Sequence, residues 1–152
     1  ANVSVGIIYQ YFNDKRDIFI EGVKRYSSDI MYPILEVLND DKIELNNLAA
    51  LLDKMVERHT FSLKEHEEIS AMTHLDKEVG EIFRNSELMV TDKIVDYLKR
   101  KEYNIPNIKE KVHIIMSIID DYCHEMVYHK HAEINYDIMK KEIINIIKNI
   151  LK

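Results

Sequence analysis

Apolar residues recur along this chain at spacings of three and four, the signature of helices that each bury one face. After a break at Asn13-Asp14, the residues Ile18, Phe19, Val23, Tyr26, Ile30, Ile34, Leu35 and Leu38 follow one broad face. The pattern predicts a helix capped by Asp14 and running to about residue 38, with Pro33 as a kink inside it. Asn39-Asp40-Asp41 ends it. Leu45, Leu48, Leu51, Leu52, Met55, Val56, His59 and Leu63 mark a second helix, and residues 64–73 a short third one. A fourth is expected from Asp76 to about Lys101, with Val79, Ile82, Phe83, Leu88, Val90, Ile94, Tyr97 and Leu98 inward. Asn104-Ile105-Pro106-Asn107 is the clearest break. Two helices follow it, Ile108 to about Lys130 and Tyr136 to about Leu151.

These last two are apolar over more than one face, through residues such as Ile115, Ile119 and Met126, then Ile143, Ile147 and Ile150. A helix of that kind must be covered on two sides. A thick monomeric bundle would supply the cover, and so would a second copy of the chain. The surplus is read here as a homodimer interface carried by those six residues.

Composition agrees with helix throughout. Only 3 Gly and 2 Pro occur in 152 residues, which leaves no room for a sheet with many turns. The expected class is all-α. A single cysteine, Cys123, excludes an internal disulfide and fits a reducing cytoplasm. No stretch reaches the roughly 20 apolar residues of a membrane span. A cytoplasmic protein with no membrane partner is expected. The net charge is −6, yet residues 1–26 hold four basic against three acidic residues while the remainder holds 17 against 24. Only the first segment is electrostatically permissive to nucleic acid.

That segment reads ANVSVGIIYQYFNDKRDIF. It resembles the end of the DNA-binding domain of TetR-family transcriptional regulators. There the pattern is Ala-Gly-Val-Ser, a short recognition helix ending Leu-Tyr-x-x-Phe, a tight turn, and a lysine followed by an acidic residue and apolar pairs. Ala1, Val3, Ser4, Gly6, Ile8, Tyr9, Tyr11, Phe12, Lys15, Asp17, Ile18 and Phe19 fit, while Asn2 and Val5 depart from it. The resemblance covers roughly the first 25 residues.

It implies the C-terminal part of a helix-turn-helix domain over 1–26, with a recognition helix at about 5–11. A helical ligand-sensing and dimerisation domain would follow over 27–152. Members carry two further helices before this point, so the resemblance also implies an N-terminally truncated domain. A recognition helix must be short to enter a major groove roughly 12 Å wide. Ser4 at its cap leaves backbone N–H groups free for a phosphate. Tyr9 and Tyr11 offer hydroxyls, Gln10 a bidentate edge for adenine and Ile7 a contact for a thymine methyl. Lys15 resembles the family's phosphate-contacting lysine. The DNA-facing set is thus Ser4, Val5, Ile7, Tyr9, Gln10, Tyr11 and Lys15, and the partner is a double-stranded operator.

Other chemistry is sparse. In "CHEMVYHKH", His124 and His129 are five apart, which places them about 140° apart around a helix. Such a pair cannot grip one ion from one face. Glu125 and His129 are correctly spaced, but two ligands fall short of a site. No metal site is expected, and hydrogen-bonded structural histidines are the reading adopted. No phosphate loop, nucleophile elbow or convincing carboxylate pair occurs, so an enzyme is not expected. Met55, Met72, Met89, Tyr97, Met116 and Tyr122 are either plain core or a pliable wall for a small apolar or aromatic effector. His59 and Asp120 could orient such a ligand, and no other cofactor is implied. The expected function is a DNA-binding, ligand-responsive repressor acting as a homodimer. The alternative is a helical ligand- or protein-binding dimer with no DNA role.

Overall fold

The computed structural model describes residues 11–39, 47–60 and 63–152. The described residues are all-α, in six helices: α1 (Lys15–Asn39), α2 (Leu48–His59), α3 (Leu63–Leu75), α4 (Lys77–Arg100), α5 (Ile108–Tyr128) and α6 (Tyr136–Ile150). The expected recognition helix, with Ser4, Val5, Ile7, Tyr9 and Gln10, lies outside the described residues. Of the DNA-facing set, Tyr11 and Lys15 are described, and both are exposed. None of the described helices is long and apolar enough to cross a membrane.

Local chemistry explains where these helices begin. The Asp14 carboxylate accepts the Asp17 N–H at 2.9 Å, capping α1 as its sequence predicts. That helix continues across Pro33 to Asn39. Asp76 caps α4 by accepting from the N–H groups of Glu78 and Val79. Asn135 does the same for α6, accepting from Asp137 and Ile138 at 3.1 Å. At its far end α4 closes without glycine. Glu102 takes φ 62°, and the N–H of Tyr103 bonds back to the Leu98 carbonyl at 3.1 Å.

Helices α4 and α5 form the centre. Helices α1 and α3 pack on α4, while α2 and α6 pack on α5. The main core gathers Leu48, Leu52 and Met55 of α2, Val90 of α4, Ile115, Ile119, Tyr122 and Cys123 of α5, and Tyr136, Ile143 and Ile147 of α6. A second cluster joins Ile20 and Val23 of α1 to Val79 of α4. The second cover that α5 and α6 require therefore comes from this chain's own α2. Ile115, Ile119, Ile143 and Ile147 are buried inside the chain, and Met126 and Ile150 pack half-buried against the same core. They do not form an outward face. The exposed apolar residues of these helices are Ile114, Ile138 and Ile146.

The start of α1 is tied to the start of α4. Arg16 reaches the Asp76 carboxylate through two nitrogens at 2.8 and 3.2 Å and Glu78 at 2.9 Å. The Arg16 hydrogen bonds, reinforced by the Val79 N–H, hold the Asp76 carboxyl down at about 2. A carboxyl lowered on folding contributes stability above its unfolded pKa and loses it as pH falls through the folded value. Unfolding midpoints measured between pH 5 and pH 2 (roughly spanning ordinary and lowered carboxyls) should decline more gently in Asp76→Asn than in the unaltered chain. Equal slopes would show that the Arg16 link contributes nothing to folding.

Candidate functional site

Four helices contribute side chains to one cluster of rings. The buried stripe of α2 runs Leu48, Leu52, Met55, His59, with spacings that keep one face. His59, the last residue of α2, is therefore carried inward at the helix end, and only 4% of it is exposed. Its Nδ1 lies 2.8 Å from the Met55 carbonyl oxygen, so this nitrogen carries a hydrogen and donates. Its Nε2 is buried without a hydrogen-bond partner. That nitrogen faces Asp120 Oδ1 at 3.6 Å, beyond hydrogen-bond reach.

His66, in the first turn of α3, is also buried. Its Nδ1 bonds the Tyr26 hydroxyl of α1. Its ring lies flat on Tyr128 of α5, with centroids 5.1 Å apart and planes 9° from parallel. The opposite nitrogen, Nε2, sits 2.9 Å from Nε2 of His124. Asp120 and His124 are one turn apart on α5, and Asp120 Oδ2 is 3.9 Å from His124 Nε2. The Tyr128 hydroxyl donates to the His59 carbonyl at 3.2 Å, pinning the end of α2 to α5. Each of the three histidines offers one ring nitrogen, and these atoms lie within 4.8 Å of one another.

Two of the cavities that the cluster borders share its acidic side chains. One, of about 320 Å³, is lined by Tyr26, His66, Phe83, Glu87, Asp120 and His124 among others. The second, of about 420 Å³, shares Glu87, Asp120 and His124 and adds His113, Met116 and His129. Asp120 is the gate between cluster and solvent, its side chain 61% exposed.

The electrostatics are divided among the rings. Burial opposes a charge on His59, but the Asp120 carboxylate, Cys123 and the Met55 carbonyl prevail and raise its pKa to about 10. Burial, then the neighbouring His124 and His59, pull His66 down to about 4. Burial also lowers His124, against the pull of Asp120. Partial loss of water around the Asp120 carboxylate raises its pKa, but His59, then His124 and His66, favour its charge and bring it down. Burial and the charge of Asp120 raise Glu87. Three ring nitrogens within 4.8 Å of one another, with a carboxylate beside two of them, can hold a cation or a strongly hydrogen-bonding ligand.

Of the residues the sequence singles out as a pocket, His59 and Asp120 do meet. Of the rest, only Met116 shares a cavity with Asp120. Met55 and Tyr122 are in the main core, Tyr97 is in a separate cluster with Val95, Leu98 and Val112, and Met72 packs beside Ile20 and Val23. Met89 lies on the surface, and Met116 lines the second cavity. The lining is polar and aromatic rather than methionine-rich. Sequence reasoning set His124 beside His129, dismissed that pair, and missed the true neighbours of His124, His66 and Asp120. The available signal was Asp120-x-x-x-His124, a carboxylate and an imidazole on one helical face.

Comparison with protein-family models, with curated proteins and with solved structures finds no match to the chain.

Proposed function

We propose that this chain is the effector-sensing and dimerisation part of a DNA-binding transcriptional regulator, a ligand-responsive repressor of TetR type. The observation that carries the reading is the placement of α1. The stretch that resembles a recognition helix and its turn leads directly into α1, and Tyr26 of that helix is a wall of the cavity and a partner of His66. Lys15 and Tyr26 are eleven residues apart along one helix, a lever of about 17 Å. Arg16, beside Lys15, is clamped to Asp76 and Glu78 at the start of α4. An effector that binds one setting of α1 better than another shifts the population toward it, and by no more than that difference in affinity. In a homodimer the shift changes the spacing of two recognition helices relative to successive major grooves. On α5 and α6, the exposed Ile114, Ile138 and Ile146 offer apolar surface to such a dimer.

The test is DNA binding by the complete gene product, with the DNA upstream of its own gene as probe. Affinity should fall steeply with salt and survive excess unrelated DNA. Lys15→Ala should weaken specific and unrelated DNA alike and reduce the salt slope by about 1. Gln10→Ala should instead relax base preference, at about 1–3 kcal/mol. Failure to bind any fragment of a genomic pool would overturn the reading in favour of a helical dimer with no DNA role.

A further inference from the structure

We infer that the effector of this domain is a divalent transition-metal ion of the zinc class, held by His59, His66 and His124 with Asp120 as fourth ligand. The identity of the effector rests on the regulatory reading above, but the metal site itself does not.

Three features point to a cation. First, the donors lie within an ångström or two of coordination spacing. Two imidazole nitrogens bound tetrahedrally to zinc stand about 3.3 Å apart, from a metal–nitrogen length of about 2.0–2.1 Å. Here the His66 and His124 nitrogens share a 2.9 Å hydrogen bond that an ion would replace, the two Asp120 oxygens are 3.6 Å from His59 and 3.9 Å from His124, and all three ring nitrogens fall within 4.8 Å. Small ring rotations seat an ion among them.

Second, His59 Nε2 is a buried polar atom with no hydrogen-bond partner, facing this cluster. Burying such an atom costs free energy unless something bonds it. The Met55 carbonyl holds the hydrogen on Nδ1, so an ion that displaces the Nε2 proton of His59 meets that nitrogen's lone pair. The Tyr26 oxygen can hold the Nδ1 hydrogen of His66 in the same way. Metal-bound histidines ordinarily have such a partner on the other ring nitrogen.

Third, the set closes. Three imidazoles and one carboxylate fill a tetrahedron, which suits holding and sensing an ion rather than hydrolytic catalysis with an open water position. The ligands come from the end of α2, the first turn of α3 and the middle of α5, with Tyr26 of α1 behind His66. An ion here ties four helices together.

The experiment is titration of Co²⁺ into the chain after chelator treatment. One equivalent should bind and develop the intense visible d–d absorption of tetrahedral cobalt, and one equivalent of Zn²⁺ should abolish it. At partly exposed positions, His124→Gln should lose the band, and Asp120→Asn, which leaves three imidazoles and a water, should shift it and weaken binding, while far-UV circular dichroism is unchanged. Tyr26→Phe keeps every ligand and should weaken Zn²⁺ binding roughly 10–100-fold, as loss of an outer partner does. His129→Gln, in the second cavity but outside the ligand set, should change nothing. A folded chain that binds no Co²⁺, or binds it only with the faint spectrum of a six-coordinate ion, overturns the proposal. So does a band that survives His124→Gln or disappears in His129→Gln. None of these readings involves DNA, so the metal site and the regulatory function can fail separately.

Discussion

Leu52→Ala should lower the unfolding free energy by about 3 kcal/mol, within the range of about 2–5 kcal/mol for emptying a buried leucine site. Leu52 is 1% exposed, and its cluster contains residues of α2, α4, α5 and α6. The loss would be a large share of the 5–15 kcal/mol that typically holds a domain together. Urea unfolding followed by circular dichroism gives the value, and an unchanged slope against denaturant confirms that the same surface unfolds. Leu52→Met, nearly equal in volume, should cost less than about 1.5 kcal/mol. A loss below about 1 kcal/mol for the alanine variant would mean that α2 is not docked on the core. The effect reaches the site. His59 follows Leu52 by seven residues on the same helical face, so loosening the stripe frees the ring that supplies the buried nitrogen.

The helices were legible because their signals are local. Asp14, Asp76 and Asn135 are caps that act within three residues, and the apolar stripes follow 3.6-residue periodicity. The expected ends therefore fall within a few residues of Lys15–Asn39, Lys77–Arg100, Ile108–Tyr128 and Tyr136–Ile150. Tertiary placement was less legible. The width of the apolar surface on α5 and α6 shows that both need two-sided cover, but not whether a second copy or α2 supplies it. The short α2, with Leu48, Leu52 and Met55, fits there. The histidine cluster was invisible for the same reason. His59 and His66 belong to different helices, and the crossing with α5 that brings His124 to them leaves no mark in either stretch of sequence. Of the three histidines and Asp120, only Asp120 and His124 share an element.

Gly80→Ala should cost about 1–3 kcal/mol, the usual effect of forcing extra volume into a packed contact. A methyl group at Gly80 would stand 2.6 Å from the Thr73 carbonyl oxygen and 3.0 Å from the Arg84 side chain. Arg84 can swing aside, but the oxygen belongs to the backbone of α3 and moves only if that helix moves. On propensity alone the change should help, because alanine is favoured over glycine within a helix by about 1 kcal/mol. A stabilised variant would therefore show that α3 shifts freely, whereas a destabilised one would show that it is held. His66 lies seven residues before Thr73 on α3, two turns along the same rigid body. An outward step of α3 would draw His66 from the 2.9 Å approach to His124 and from the Tyr26 hydroxyl. The variant should thus lose Co²⁺ affinity together with stability, although Gly80 has no side chain to offer a ligand. Full affinity in a destabilised Gly80→Ala chain would separate the two and place the site on α2 and α5 alone.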